Sequence, residues 1–244
     1  MPAILKTPLL LINFKTYLEG TGQKAFRLAK IAEKVSLDTG VQIIITPQYS
    51  DIAKIASKIK IPIFAQHLDP EEAGAHTGYI LPEAISAAGA IGTMLNHSEK
   101  PLTKEKIGSA VKRCKELGLL TCILSNSPEE GAELSKLNPD MIVVEVPELI
   151  GTGRAISTVS PQTIKNAIAK IRKNNKKVIL IAGSGVTTSK DVKRAIELGM
   201  QGVGSSKAVM TSEKPRELLY EMANALLSAN SKVLKHSTPQ NNIP

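Results

Sequence analysis

A lysine, a histidine and a glutamate stand where packing alone gives them little reason to be, at the ends of short apolar runs. Asn13 and Lys15 close the run over 9–13, Gln66 and His67 the run over 63–66, Asn96 and His97 the run over 92–96, and Glu145 the run over 141–145. Gly183-Ser184-Gly185 follows another such run, and Ser205-Ser206-Lys207 the next. Together these types describe one chemistry. A carboxylate takes a proton from a carbon next to a carbonyl, an imidazole hydrogen-bonds that carbonyl, and an ammonium stabilises the oxyanion that develops. The Gly and Ser loops present backbone N–H groups, one set of them at a helix start, to an anionic part of the substrate. No metal or cofactor is needed for this. Each residue also has a plainer reading: Lys15 as a surface lysine, His97 as a cap or core residue, the Gly loops as tight turns. Glu145 resists it best, because an unpaired carboxylate at the end of the apolar run over 141–144 is costly.

The elements that would bring these residues together are repeated. Eight short runs rich in Ile, Val and Leu, at 9–13, 42–46, 63–66, 92–96, 120–125, 141–145, 178–182 and 202–205, alternate with stretches of helical period. In the first helix Ala25, Leu28, Ala29, Ala32 and Val35 share a face and Gly40 is the stop. Further helices are expected near 51–57, 83–88, 107–117, from 128, from 161, over 190–198 and over 215–227. Ser127, Pro128 and Glu130 read as a capping-box start with Pro at the first helical position. Strands apolar on both faces, each separated by a helix, imply a parallel sheet covered by helices, and eight repeats favour a closed (β/α)8 TIM barrel over a doubly wound open sheet. In such a barrel the active site lies at the carboxyl ends of the strands, where the polar residues fall. The expected organisation is one barrel domain over 1–228, followed by a disordered tail over 229–244.

Composition narrows the function classes. Of 244 residues, 31 are Lys or Arg and 22 Asp or Glu, a formal +9, which suits either a nucleic-acid binder or an enzyme for an anionic substrate. Aromatic residues make up 3% and Trp is absent, too few stacking groups for a single-strand platform. No apolar run approaches the roughly 18 residues of a membrane span. No secretory pattern is read at the N-terminus, and two cysteines, Cys114 and Cys122, fit a reducing cytoplasm.

The ordered motifs resemble triosephosphate isomerase: Asn13-Phe14-Lys15, then Asn96-His97-Ser98-Glu99, then Glu145 followed by Pro147-Glu148-Leu149-Ile150-Gly151-Thr152-Gly153. The segment from Ala65-Gln66-His67 through Gly74-Ala75-His76-Thr77-Gly78 is most similar to the archaeal branch. The resemblance covers about residues 9–227. It implies interconversion of D-glyceraldehyde 3-phosphate and dihydroxyacetone phosphate, in glycolysis and gluconeogenesis, without a cofactor. It makes Glu145 the base, His97 the neutral electrophile and Lys15 the cation beside the enediolate. Asn13 and Phe14 would help bind substrate, Ile150 and Gly151 would belong to a lid, and Gly185, Ser206 and Lys207 would hold the phosphate. Glu99 would join the same network. Thr77 would sit in a loop reaching into a neighbouring subunit, giving a dimer or, by the archaeal likeness, a tetramer.

Three departures stand out. Val146 occupies the place after the base where the family usually has Pro. Gly204-Ser205-Ser206-Lys207 is expected to loosen the eighth strand and sets a cation beside the phosphate, and the family does not need the basic tail after Asn230. The rivals are another phosphate-binding barrel and, because Lys165, Lys170, Arg172, Lys173, Lys176 and Lys177 cluster, a nucleic-acid binder. The first would need its own acid–base pair, and Asn13-Phe14-Lys15 with His97 and Glu145 fits the isomerase better. The second reads as the solvated face of a helix, so no nucleic-acid partner is expected. Gly183-Ser184-Gly185 lacks the third Gly of a dinucleotide fingerprint.

Overall fold

The computed structural model describes residues 5–237. Its eight strands are β1 (Leu9–Asn13), β2 (Gln42–Thr46), β3 (Phe64–Ala65), β4 (Gly92–Leu95), β5 (Leu120–Ser125), β6 (Met141–Val144), β7 (Ile179–Ala182) and β8 (Gly202–Ser205). They form a single parallel sheet in the order β2-β1-β8-β7-β6-β5-β4-β3. A parallel bridge between Ile45 and Ile63, with Ile45 N–H donating to the Pro62 carbonyl at 3.1 Å, brings the two ends of this order together. The expected barrel is therefore present.

Side chains alternate along the strands because successive Cβ atoms point to opposite faces. Leu9, Leu11, Ile44, Phe64, Met94, Cys122, Leu124, Met141, Val143 and Ile181 fill the barrel interior. Leu10, Ile12, Ile43, Ile45, Ile142, Val144 and Leu180 face outward into the layer beneath the helices. The interior is narrow enough that Gly92 has to be glycine, since a Cβ there would come within 2.6 Å of the Phe64 ring.

The covering helices are α1 (Gly22–Thr39), α2 (Tyr49–Ala56), α3 (Pro82–Ala87), α4 (Lys104–Glu116), α5 (Pro128–Ser135), α6 (Ile156–Val159), α7 (Pro161–Asn174), α8 (Ser189–Glu197), α9 (Lys207–Met210) and α10 (Pro215–Ser237). α1 buries the predicted stripe Ala25, Leu28, Ala29, Ala32 and Val35, and Gly40 ends it in the left-handed conformation at φ 74°. The start of α5 is half of the expected box. Ser127 Oγ accepts from Glu130 N–H, but the Glu130 carboxylate reaches Asn126 N–H and the Asn96 amide instead of closing back on Ser127. A complete box forms at α8, where Thr188 and Asp191 cap each other.

Two expectations are corrected. The last helix does not stop near residue 227: its buried stripe continues through Met222, Ala223, Leu226 and Ala229, and α10 runs to Ser237. The first part of the expected tail, 229–237, is thus helical, and the rest of it, 238–244, lies outside the described residues. Nor is β8 slack, since its four residues all pair with β1, and Gly202 is packed so closely that a Cβ would lie 2.7 Å from the Leu9 carbonyl oxygen. The short α6 and α9, and a 3-10 turn at Pro147–Leu149, carry no clear periodicity and were not expected.

Candidate active site

The carboxyl ends of the strands surround a cavity of about 290 Å³, at the small end of ligand pockets. Asn13, Lys15, His97, Glu145, Ile150, Gly151, Gly185, Ser206 and Lys207 all line it. Phe14 does not. Its side chain is fully buried in the layer beneath the helices, because the residue between two cavity-facing neighbours at the end of β1 points outward. Phe14 is thus not brought to the cavity with the others. His67 and Asn96, also at strand ends, are structural as well. His67 Nε2 pairs with Asp69 at 3.1 Å. Asn96 donates to the Leu124 carbonyl and Glu130 and accepts from Leu102 N–H, holding the chain at φ 62° just before His97.

Lys15 is held in an unusual backbone. Its φ of 45° lies in the left-handed region that residues with a Cβ seldom adopt. Its N–H donates to Asn13 Oδ1 at 2.9 Å, and Asn13 is fixed in turn by the Thr46 hydroxyl. Its carbonyl accepts from two side-chain amides, Gln48 at 2.6 Å and Gln66 at 2.8 Å. The ammonium meets Glu99 at 2.6 Å. Gln48 was missed from the sequence, although it lies just past β2 and the strand-end rule reaches it.

His97 Nδ1 accepts the Glu99 backbone N–H at 3.1 Å. In the neutral ring this leaves the proton on Nε2. Burial first, and then the Lys15 charge, lower its pKa from the usual histidine value, against an opposing pull from Glu99, so the neutral form is favoured.

Glu145 extends from β6 with its N–H bonded to the Ser125 carbonyl at 2.9 Å. The side chain is buried, and Oε2 finds no hydrogen-bond partner among the described residues. Burial lifts its pKa to about 7, Lys15 opposes the rise, and Glu99 adds to it. A carboxyl poised near neutrality is suited to taking and returning a proton. Across the cavity, Lys207 and Ala208 open α9, so their amides lack intrahelical acceptors, and Gly185 turns at φ 67°. Lys207 is exposed at the rim. Among the described residues no group of three or more His, Cys, Asp or Glu is placed to hold a metal.

Comparison with known proteins is consistent along the chain. The profile of the family described as triosephosphate isomerase matches residues 8–225. The triosephosphate isomerase of Methanobacterium bryantii is 41% identical over 226 residues, covering 93% of this chain and 100% of its own length. That of Sulfurisphaera tokodaii is 44% identical over 229 residues, covering 93% and 100%. A crystal structure of triosephosphate isomerase from Bartonella henselae superposes with a TM-score of 0.70 at 15% identity, over 90% of this chain and 99% of that one, a likeness of fold.

Proposed function

The chain belongs to the triosephosphate isomerase family, and from that premise we propose that Glu145, His97 and Lys15 carry its reaction, the interconversion of D-glyceraldehyde 3-phosphate and dihydroxyacetone phosphate. Glu145 removes a proton from the carbon beside the carbonyl and returns it to the neighbouring carbon. His97 donates from Nε2 to the carbonyl oxygen that becomes the enediolate oxygen. A glutamate base with a neutral imidazole partner is the known pairing of this family. What supports it here is one observation: the Glu99 N–H on His97 Nδ1 leaves Nε2 as the donating nitrogen, in the same cavity as a carboxyl that burial has made basic enough to act near neutral pH.

Lys15 supplies the positive charge near the developing oxyanion, on a backbone that Gln48 and Gln66 clamp. Asn13 orients the substrate and fixes Lys15. Ile150 and Gly151 cover the intermediate as part of a lid over 147–153, while the loop at Gly185 and the start of α9 at Ser206 and Lys207 hold the phosphate. Excluding water matters because an enediolate phosphate exposed to solvent loses its phosphate in a side reaction. Glu145→Gln tests the assignment: turnover is expected to fall by orders of magnitude with little change in KM, because the group acts in the transition state. Full activity would remove Glu145 from the role.

The same reading places the enzyme in the cytoplasm, in glycolysis and gluconeogenesis, as a homodimer or homotetramer that associates through the loop around Thr77. A large exposed hydrophobic two residues along, Tyr79, supports a buried contact there. No helix among the described residues is long and apolar enough to cross a membrane.

A further inference from the structure

The chain departs from its family at Val146, and the structure shows what uses the N–H that a proline would lack. Val146 N–H donates to Ser184 Oγ at 2.6 Å. At the other end of the lid, Ile156 N–H donates to the Ser184 backbone carbonyl at 3.1 Å. One residue of the loop after β7 thus holds both ends of the segment that covers the cavity, and it is itself buried.

Its neighbours touch the same segment. Gly183 lies so close to the base that an added Cβ would come within 2.8 Å of Glu145 Cγ and Oε1. Gly185 lies against the far arm of the lid, where a Cβ would be 2.0 Å from the Arg154 carbonyl oxygen. Between the two pinned ends the lid is stiff at first, with Leu149 N–H bonded to the Val146 carbonyl at 2.9 Å and the Leu149 side chain buried, and then turns through Gly151 and Gly153 at φ 72° and 76°. Val146 has φ −121°, well away from the roughly −65° that a proline ring imposes. The hinge here is set by a hydrogen bond instead of by a ring.

We propose that Ser184 is a positioning residue that couples the two ends of the lid to each other and to the phosphate loop, so that the lid seats with Glu145 in register over the bound intermediate. The proposal rests on Glu145 as the base and on residues 147–153 as the lid, carried by the segment from Val146 to Ile156. Physically, Ser184 stands between Gly183, packed on the base, and Gly185, at the expected phosphate contact. Without the hydroxyl, the hinge amide loses its acceptor and the arm that carries Glu145 is free to shift. The enediolate then spends longer exposed, and its electron pair expels the phosphate, the C–O bond breaking with both electrons on the departing oxygen.

The test compares the parent chain, Ser184→Ala, Val146→Pro and the double variant, with kcat, KM and the inorganic phosphate released per turnover as readouts. Ser184→Ala is expected to lower kcat roughly two- to tenfold, the range that one hydrogen bond allows. KM should stay within about twofold, and phosphate release per turnover should rise by at least the same factor as kcat falls. Val146→Pro removes the donor and should move both readouts the same way. The double variant should be no worse than the worse single one, because the two changes break one bond. Parental kcat and phosphate release in Ser184→Ala, or losses that multiply in the double variant, overturn the proposal. A general packing role would lower thermal stability without changing the phosphate partition, which also overturns it. If Ser184→Ala does not fold, parental phosphate release in Val146→Pro decides against it. An inactive, folded parent chain would instead mean that the isomerase reading fails.

Discussion

Replacing Glu145 by glutamine keeps the shape of a buried side chain and removes its charge, so the change should stabilise the fold in a pH-dependent way while it abolishes turnover. Burial raises the carboxyl from its ordinary 4.5 to about 7, which means the folded protein holds the proton more tightly than the unfolded chain. Stability therefore falls as pH rises from about 4.5 through about 7 and levels off above, where the carboxylate is ionised in both states. Each tenfold difference in proton affinity corresponds to about 1.36 kcal/mol, so the cost of burying the charge comes to about 3 kcal/mol at pH 8 and about 1 kcal/mol at pH 5. Glutamine does not carry this cost. Urea unfolding followed by circular dichroism, at one fixed protein concentration because self-association adds to apparent stability, should show the advantage of Glu145→Gln growing by about 2 kcal/mol between those pH values. An advantage that is equal at both pH values, or a variant that loses stability as pH rises, would refute the picture of a dry, strained base.

The same carboxyl governs the pH profile: kcat/KM should rise with an apparent pKa near 7 as Glu145 ionises, while burial lowers the His97 pKa and so favours its neutral form. A profile flat from pH 5 to 8 would contradict this. Gly185→Ala combines a left-handed φ with a Cβ driven onto the Arg154 carbonyl, so it should cost more than about 1 kcal/mol in stability and displace the lid, read as a lower melting temperature and lower kcat. Lys207→Ser distinguishes two roles for the rim cation. A higher KM is expected if its charge reaches the phosphate, and an unchanged KM would leave only its backbone amide at the site.

The barrel was legible because each strand is an apolar run and each is followed by a stretch of helical spacing. What escaped was structure without periodicity. α6 and α9 are four residues each, too short for a stripe, and the continuation of α10 to Ser237 was masked by polar residues around Ala229. The site was legible in its chemistry and not in its orientation. Asn13, Lys15, His97 and Glu145 were found by standing at strand ends, and the same rule brought in His67 and Asn96, whose side chains turn to Asp69 and to Leu124 and Glu130 instead. Phe14 entered only through a motif, and the strand's alternation sends it into the core. Gln48, on the Lys15 carbonyl, stands just past β2 within reach of that same rule, whereas the bond from the Val146 amide to Ser184 depends on contact between distant loops, which a single sequence does not encode as a pattern.

The most direct check on the whole account is a steady-state assay of the purified chain with D-glyceraldehyde 3-phosphate, in which the dihydroxyacetone phosphate formed is reduced by an NADH-linked enzyme. The expected result is rapid metal-independent turnover that Glu145→Gln lowers by orders of magnitude. A folded chain with no turnover in either direction would contradict it.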